Sequence, residues 1–227
     1  MPKAYVLLSG GVDSSTCLAI ACHEWGGRVA GVSVLYGQRH TREVEAAKRI
    51  AAAYECQFIT KDITGFIQEG GITDASLKIP PVSYDDLPEG VSPTFVPFRN
   101  ATLLSLITGM ASVDDEAEAV YFGAHAEDAE NWAYPDCTPE FIGGMSNAIY
   151  IGTYRKIRLY TPLMFMRKSE IVRIGTKLGV PWNLTWSCYE GGVHHCGVCP
   201  TCRARNAAFK DAGVTDPTVY ETQEVIG

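Results

Sequence analysis

The chain has 227 residues and a net charge of −7 at pH 7, and 46% of its residues are hydrophobic. This length allows one large domain with an appendage or two small domains, while the acidic balance argues against a protein that binds nucleic acid through a broad basic surface. No apolar run reaches the roughly 18 residues of a membrane span and no signal-peptide pattern occurs, so we expect a cytoplasmic protein that acts on a small molecule.

The first predicted strand, residues 4–8, ends in a turn rich in glycine and hydroxyl groups. The turn reads Ser9-Gly10-Gly11-Val12-Asp13-Ser14-Ser15, and a helical pattern follows it. Adjacent glycines let backbone N–H groups approach an anion, the hydroxyls add donors, and the helix directs its positive end to the same point. No lysine follows a glycine, which excludes the GxxxxGK[ST] nucleotide loop. The turn therefore predicts a phosphate site of another type, and a turn that binds nothing is the alternative.

The next elements alternate between helix and strand. A mostly buried strand is predicted at residues 28–35 and a short strand at residues 56–61. Apolar side chains with helical spacing precede each of them, namely Cys17, Ile20, Ala21 and Trp25, and then Val44, Ala47, Ile50, Ala51 and Tyr54. This βαβαβ order predicts a parallel sheet with right-handed crossovers.

A long segment without clear periodicity, residues 63–97, separates these elements from the rest of the chain. Segments of this kind in a compact enzyme are usually lids or binding loops. After it, helices are predicted at residues 99–113, 139–149 and 168–178, and short strands at 119–122 and 157–160. The pattern predicts an α/β fold with a doubly wound, mainly parallel five-stranded sheet, whose ligands lie beyond the carboxyl ends of the strands. The segments expected at those ends are Ser9-Gly10-Gly11, Tyr36-Gly37 and Gly123-Ala124-His125.

Four cysteines near the C-terminus follow the pattern C-x7-C-x2-C-x2-C. They are Cys188, Cys196, Cys199 and Cys202. The short spacings let three thiolates converge on one ion and the longer loop brings the fourth, which predicts a closed, structural zinc site. An iron–sulfur site is the alternative, because C-x2-C-x2-C also begins many of those. We expect His194 and His195 to be exposed loop residues rather than ligands, and Cys17, Cys22 and Cys56 to be core or near-core thiols.

The turn after the first strand resembles the pyrophosphate loop of the N-type ATP pyrophosphatases, which cleave ATP between its α and β phosphates. Further segments narrow the resemblance: YGQRH, TFVPFRN, GAHAEDAENWAYPDC, and TWSCYEGG followed by CGVCPTC. Together they resemble the 7-cyano-7-deazaguanine synthase family from residue 5 to about residue 217. The resemblance implies an adenine nucleotide α-hydrolase-like domain at residues 1–182, with a zinc module and a C-terminal helix at residues 183–227 packed on it.

The resemblance also implies a reaction. The carboxylate of 7-carboxy-7-deazaguanine attacks the α-phosphate of ATP, pyrophosphate leaves into the loop, and ammonia displaces AMP to give the amide. A second adenylation, on the amide oxygen, permits dehydration to the nitrile. The implied cofactors are ATP, Mg²⁺ held with the help of Asp13, and one structural Zn²⁺ per chain, and the implied assembly is a homodimer.

Residue roles follow from the same resemblance. The catalytic residues are expected to be Asp13, Ser14, Lys168 and Arg99. The residues expected to bind ATP are Leu8, Ser9, Gly10, Gly11, Val12, Asp13, Ser14, Ser15, Tyr36, Arg99, Asn100, Gly123 and Lys168. Those expected to bind the deazapurine are Gln38, His40, Phe95, His125, Asp128, Asp136 and Cys137.

Plainer roles stay open for several of these residues. Lys168 could be a solvated charge at a helix end, and Arg99 and Asn100 could anchor a loop. Cys137 invites a nucleophilic role, but the adenylate route needs no covalent thiol, which favours packing or substrate contact. One departure from the family is Phe98, where many members have glycine, and a bulky side chain there would alter how closely the backbone approaches a ligand.

Three other functions stay open. The activated acyl group could be captured by a protein amine, so that a partner protein becomes conjugated to the base. Related pyrophosphatases thiolate tRNA, although the acidic charge of this chain makes nucleic acid an unlikely partner. A nucleotide-binding module without enzymatic activity is the third.

Overall fold

The computed structural model describes residues 1–38, 41–67, 70–74, 76, 78 and 90–221. Within them, one parallel sheet contains five strands: β1 (Ala4–Leu7), β2 (Val29–Leu35), β3 (Gln57–Asp62), β4 (Ala119–Tyr121) and β5 (Arg158–Tyr160). Their order is β3-β2-β1-β4-β5, so the chain runs outward from β1 on one side and returns through β4 to the other. The predicted α/β sheet is confirmed, and every strand boundary lies within one residue of the prediction.

The helices connect these strands in the predicted order. They are α1 (Val12–Trp25), α2 (Arg42–Ala53), α3 (Arg99–Ser112), α4 (Ala126–Ala129), α5 (Pro139–Gly152), α6 (Lys168–Lys177) and α7 (Pro200–Ala212). The short α4 has no counterpart among the predicted helices, and α5 extends beyond its predicted end. Among the described helices, none is both long and apolar enough to cross a membrane.

Apolar side chains cover both faces of the sheet. On one face Val6, Leu18 and Ile171 join strand β1 to helices α1 and α6 in a single buried cluster. On the other, Val32 and Leu104 belong to a second cluster beneath α3 and α5. Parallel strands that are buried on both faces consist of almost continuous apolar residues, which is why β1 and β2 were recognisable from sequence.

The sheet changes direction between β1 and β4, and this point fixes the location of a ligand crevice. The two strands pair in parallel with Ala4 opposite Ala119, so their carboxyl ends lie side by side. Gly10, just beyond β1, has a φ of +86°, and a Cβ atom there would lie 2.5 Å from the backbone nitrogen of Ala47 in α2. Glycine is therefore required at this position both by backbone conformation and by the close approach of α2.

Phe98 precedes α3 in a conformation that suits glycine better. Its φ is +60° and ψ is 16°, which is the left-handed region that bulky side chains rarely adopt. The side chain is 68% exposed and packs edge-on against Phe141, with ring centroids 6.4 Å apart. The structure thus directs this bulky residue toward solvent, away from the crevice.

We expect substitutions of Phe98 to affect stability according to backbone conformation. Phe98→Gly should raise the free energy of unfolding by up to about 1 kcal/mol, because glycine adopts left-handed φ without steric cost. Phe98→Val should lower the free energy of unfolding, because a β-branched residue is poorly accommodated there. Urea unfolding of the two variants tests this, and a more stable valine variant would contradict it.

The C-terminal part of the chain packs directly on the α/β body. Ala208 and Phe209 of α7 lie in the same buried cluster as α1 and α6, and Phe209 meets Trp182 edge-on at 5.3 Å. Arg205 of α7 is fully buried and forms a forked ion pair with Asp216 at 3.0 Å. Its guanidinium also donates to Thr185 Oγ1 at 2.7 Å.

Replacing Arg205 by methionine should lower the free energy of unfolding by about 3–5 kcal/mol, because Asp216 is then left partly buried without its charge partner. The double variant Arg205→Met with Asp216→Leu should recover most of that loss, since it leaves no unpaired charge. Denaturant unfolding measures both, and Lys210→Met is a matched control on the exposed side of α7. Equal stability of the single and double variants would contradict this explanation.

Candidate active site

A cavity of about 280 Å³ lies at the carboxyl ends of the strands. Residues from the loop after β1, the segment after β2, the first turns of α2, α3 and α6, and the segment after β4 all contribute to its wall. The C-terminal part of the chain contributes a further side of it. The cavity therefore lies where the change of direction in the sheet predicts a ligand.

The loop after β1 is organised around Ser14. Its hydroxyl oxygen accepts the backbone N–H groups of Ser9 and Gly10 at 3.2 and 3.1 Å. The hydroxyls of Ser9 and Ser14 are 3.0 Å apart. Gly11 is the N-cap residue of α1 and has no side chain with which to cap the helix, so the first amide groups of α1 are available to an anion in the cavity.

A charged cluster lies beside this loop. Lys168 Nζ is 3.0 Å from Asp13 Oδ2 and 3.4 Å from His125 Nε2. The same histidine nitrogen lies 3.3 Å from Asp128 Oδ2. Burial favours neutral Asp13, but Lys168 and His125 outweigh it and hold the pKa of Asp13 below its ordinary value. Burial likewise opposes the charge on Lys168, but Asp13 and Asp128 raise its pKa, so the pair is ionised at neutral pH.

Hydrogen bonds at the start of α6 fix the position of Lys168. Its backbone N–H donates to Glu127 Oε1 at 3.0 Å, which ties α6 to α4. The Glu170 carboxylate accepts the N–H of Arg167 at 2.8 Å and closes the first turn of α6. These contacts hold the lysine side chain, 16% exposed, against the wall of the cavity.

Asp13 retains one free oxygen. Its Oδ1 atom is buried and has no hydrogen-bond partner among the described residues. Asp13 and Asp128 both line the cavity, and carboxylate oxygens are the ligands that Mg²⁺ prefers. The residues present therefore fit a bound magnesium ion.

Arg99 and Tyr36 form a second polar group across the cavity. Arg99 Nη1 donates to Tyr36 Oη at 3.3 Å, and the guanidinium lies 5.7 Å from the centre of the tyrosine ring. Glu43 of α2 lines the same part of the cavity. This places a cation and a carboxylate on the side of the cavity nearest α2 and α3.

Behind Arg99, the first turn of α3 is joined to the Tyr134-Pro135-Asp136-Cys137 turn. Asp136 Oδ2 accepts the backbone N–H of Asn100 at 2.9 Å, and the Asn100 side chain lies 3.3 Å from Cys137 Sγ. Burial raises the pKa of Asp136, and its Oδ1 atom has no partner within the described part of the chain. Burial also raises the pKa of the Cys137 thiol well above its usual range, which disfavours a thiolate nucleophile.

The four clustered cysteines converge as the spacing predicts. Their Sγ atoms all lie within 4.8 Å of one another, and those of Cys196 and Cys202 are 3.9 Å apart. Tetrahedral zinc with bonds near 2.3 Å requires sulfur separations of about 3.8 Å. Backbone N–H groups also point at the sulfurs, as from Cys199 to Cys196 Sγ at 3.3 Å. The cluster fits a structural metal ion with four thiolate ligands.

The expectation that His195 is an exposed loop residue is wrong. It is 5% exposed and packs on Trp186 with ring centres 4.3 Å apart. Its Nε2 atom accepts the backbone N–H of Ser187 at 3.0 Å. Burial, assisted by Arg205, lowers the pKa of His195 to about 4, so the ring is neutral and structural. His194 is exposed as predicted, and Cys17, Cys22 and Cys56 are buried or partly buried thiols.

The cysteine cluster is connected to the loop after β1. The backbone N–H of Trp186 donates to the carbonyl of Gly10 at 2.9 Å. Thr201 lines the cavity, and its hydroxyl lies 3.3 Å from Cys199 Sγ. The metal-binding segment is therefore part of the cavity wall.

Comparison with known proteins places this architecture in a family. The sequence model described as "Queuosine biosynthesis protein QueC" matches residues 3–213. The chain belongs to the QueC family.

Curated relatives of this QueC-family chain are similar over nearly their full length. The 7-cyano-7-deazaguanine synthase of Methanoculleus marisnigri is 41% identical over 225 residues, which cover 97% of this chain and all of that protein. The enzyme of the same name from Oceanobacillus iheyensis is 41% identical over 223 residues, covering 96% of this chain and 98% of that protein.

A solved structure supports the fold of the QueC-family chain. NMN synthetase from Francisella tularensis superposes with a TM-score of 0.50 at 15% identity, covering 94% of this chain and 78% of that chain. At this identity the likeness concerns the fold alone. It agrees with the predicted adenine nucleotide α-hydrolase-like sheet.

Most of the residues expected to bind ATP lie together in this QueC-family cavity. Those that line it are Leu8, Ser9, Gly11, Val12, Asp13, Ser14, Tyr36, Arg99, Asn100, Gly123 and Lys168. Gly10 packs against α2 instead, and Ser15 is fully buried in α1.

Some of the residues expected to bind the deazapurine line the cavity, and others lie behind its wall. Gln38, Asp128 and Cys137 line the cavity. Phe95, His125 and Asp136 do not line it: Phe95 packs on Tyr134, and the other two support lining residues by the contacts described above. His40 lies outside the described residues.

Sequence reasoning missed several cavity residues. They are Val32, Ser33, Val34, Glu43, Ile72, Thr94, Tyr134, Trp186, Ser187, Tyr189 and Thr201, among others. The one available signal was Ser33, a hydroxyl inside an apolar strand, whose Oγ donates to the Leu8 carbonyl. The others come from the rest of β2, from the first turn of α2, from the segments before α3 and α5, and from the C-terminal segment, and tertiary packing brings them together.

Proposed function

We propose that this protein is a 7-cyano-7-deazaguanine synthase, an ATP-dependent carbon–nitrogen ligase. Its reaction would convert 7-carboxy-7-deazaguanine to 7-cyano-7-deazaguanine with ammonia. The observation that carries the proposal is the match, over nearly the whole chain, to the QueC family and to curated enzymes of that name. The placement of a phosphate-type loop and the Asp13–Lys168 pair in one cavity supports it.

The chemistry requires activation of a poor electrophile. A carboxylate oxygen attacks the α-phosphorus of ATP and pyrophosphate departs, which gives an acyl adenylate. Ammonia then attacks the acyl carbon, the bond to AMP breaks, and the amide forms. In a second cycle the amide oxygen is adenylated, and loss of AMP and a proton gives the nitrile. Two ATP molecules are consumed for each nitrile.

The pyrophosphate loop and the charged cluster have separate roles in this scheme. The free amide groups at the start of α1, with Ser9 and Ser14, would hold the departing pyrophosphate. Lys168 and Arg99, on opposite sides of the cavity, would stabilise the negative charge that develops during in-line transfer. A magnesium ion held by Asp13 would neutralise phosphate charge when bound. The ion pair with Asp13 keeps the Lys168 side chain directed into the part of the cavity that would hold the phosphates.

The remaining part of the cavity would hold the deazapurine. Gln38, Asp128 and Cys137 offer polar atoms along its wall. Asp136 would act from behind the cavity wall, because it accepts the backbone N–H of Asn100 and so fixes the start of α3. Phe95 and His125 would likewise support the wall, and His40, which lies outside the described residues, is a further proposed substrate contact.

The four-cysteine site is proposed to hold zinc rather than an iron–sulfur cluster. Its role would be structural, because four thiolates leave no position for a reacting ligand. None of the eight cysteines, all of which lie among the described residues, forms a disulfide, which fits a reducing cytoplasm. We also propose a homodimer, as the resemblance implies, and light scattering of the purified protein tests it.

An assay with carboxydeazaguanine, ATP and ammonium tests the proposed function. We expect mass spectrometry to detect the amide, then the nitrile, with AMP and pyrophosphate. Unchanged substrate at saturating ammonium would contradict the proposal. Formation of a protein adduct carrying the mass of the base would point to an amine acceptor instead, and strong salt-dependent binding of tRNA would point to a tRNA-modifying enzyme.

A further inference from the structure

Glu43 lines the cavity but has no role in the adenylation steps of the proposed reaction. It lies in the first turn of α2 and lines the cavity beside Arg99 and Tyr36. Three carboxylates of the described residues line this cavity: Asp13, Glu43 and Asp128. Asp13 is paired with Lys168 and Asp128 contacts His125, whereas Glu43 makes no hydrogen bond or ion pair within the described part of the chain.

The position of Glu43 is fixed relative to the phosphate loop. Its carbonyl oxygen would lie 2.6 Å from a Cβ atom at Gly10, so the backbone of α2 and the loop are in direct contact. The backbone of the first turn of α2 therefore packs directly on the loop after β1. The Glu43 side chain starts from this turn and lines the same cavity as that loop.

The environment of Glu43 suits proton transfer. Burial raises its pKa to about 7, although the guanidinium of Arg99 opposes the shift. Among the described residues, the groups that interact electrostatically with Glu43 are Arg99 of α3 and Tyr36, which follows β2, while Arg42 and Glu45 are its charged neighbours on its own helix. A general base is most effective when its pKa lies near the working pH.

The nucleophile of the proposed reaction needs such a base. Ammonia in neutral solution is almost entirely ammonium, which has no lone pair with which to attack an acyl carbon. The cation must be captured beside the adenylate and must lose a proton there. A carboxylate that has no hydrogen-bond or ion-pair partner among the described residues provides both an attraction for the cation and an acceptor for the proton.

We propose that Glu43 is the general base that generates ammonia from ammonium at the adenylate. The Glu43 carboxylate takes one proton from ammonium, ammonia forms the C–N bond as the acyl–oxygen bond to AMP breaks, and the excess proton on nitrogen passes to solvent. Glu43 releases its own proton to solvent before the next cycle. This inference depends on the proposed adenylating function.

Three assays of a Glu43 variant distinguish a defect in the use of ammonium from a defect in adenylation. Glu43→Gln should lower the rate of amide formation from ammonium at neutral pH by about 100-fold. Hydroxylamine is uncharged at that pH and needs no prior deprotonation, so its conversion to the hydroxamate should be unchanged. Substrate-dependent exchange of pyrophosphate into ATP should also be unchanged, since it reports adenylation alone. Raising the pH should restore ammonium-dependent turnover in the variant as free ammonia becomes abundant.

Glu45→Gln, on the exposed side of the same helix turn, is the matched control and should behave as the parent protein in all three assays. Wild-type ammonium-dependent turnover in Glu43→Gln would overturn the inference. Equal loss with ammonium and hydroxylamine, or loss of pyrophosphate exchange, would also overturn it, because the residue would then support structure or adenylation. Absence of exchange in the parent protein would instead refute the proposed function.

Discussion

Replacing Lys168 by methionine is expected to lower the kcat of nitrile formation by about 100- to 1,000-fold while the protein remains folded. Lys168 lies beside the proposed pyrophosphate loop, with Nζ 3.0 Å from Asp13 Oδ2. Methionine retains the length of the side chain but removes the charge that would stabilise phosphoryl transfer. Steady-state AMP release measures kcat, and circular dichroism reports the fold.

The Lys168 prediction has a control on the same helix. Lys177 lies in the last turn of α6 and is exposed, so Lys177→Met should leave kcat unchanged. Pyrophosphate exchange should fall in parallel with kcat in Lys168→Met, because the lysine is proposed to act on the transferring phosphate. A variant with normal pyrophosphate exchange and normal kcat would show that Lys168 is a solvated helix-end charge.

Removing the metal from the four-cysteine site is expected to unfold at least the C-terminal part of the chain. Structural zinc sites in finger peptides contribute about 10–16 kcal/mol of binding free energy, which is comparable to the whole stability of a domain. Activity should be lost as well, because Trp186 bonds to Gly10 and Thr201 lines the cavity. Cys202→Ser should therefore be metal-free, less stable and inactive.

Elemental analysis of the purified protein should find one zinc ion per chain, and none in Cys202→Ser. Cys22→Ser, which removes a partly buried thiol outside the cluster, should retain both the metal and the activity. Iron with visible absorption would contradict the zinc assignment. A metal-free protein with normal thermal stability would contradict the structural role.

Local sequence patterns were sufficient to predict the sheet and the position of the glycine-rich turn after β1. β1 and β2 are almost continuous apolar runs, and the glycines of the turn follow β1 directly in the sequence. Each of these signals lies within a few consecutive residues, so it can be recognised without knowledge of tertiary contacts. The four cysteines were also predictable, because two short spacings limit how three thiolates can be arranged. The division of the chain after residue 182 stays a prediction, and Phe209 shares a buried cluster with α1.

Features that depend on tertiary packing could not be predicted in this way. Glu43 reaches the cavity because α2 is pressed against Gly10, and no pattern around residue 43 reveals that contact. His195 is buried because Trp186 covers it, although its neighbour His194 is exposed. Asp136 supports the site through Asn100, and nothing in the spacing distinguished a supporting residue from one that lines the cavity.

The transfer of carboxylate oxygen to AMP is the most direct test of the proposed adenylation. The substrate is prepared with ¹⁸O in both carboxylate oxygens and converted to the nitrile, which contains no oxygen from that group. Both labels should appear in AMP, one in each of the two molecules formed, because each adenylation places a substrate oxygen on the α-phosphorus. Labelled inorganic phosphate together with ADP would show attack at the γ-phosphorus and would contradict the proposed function of the loop.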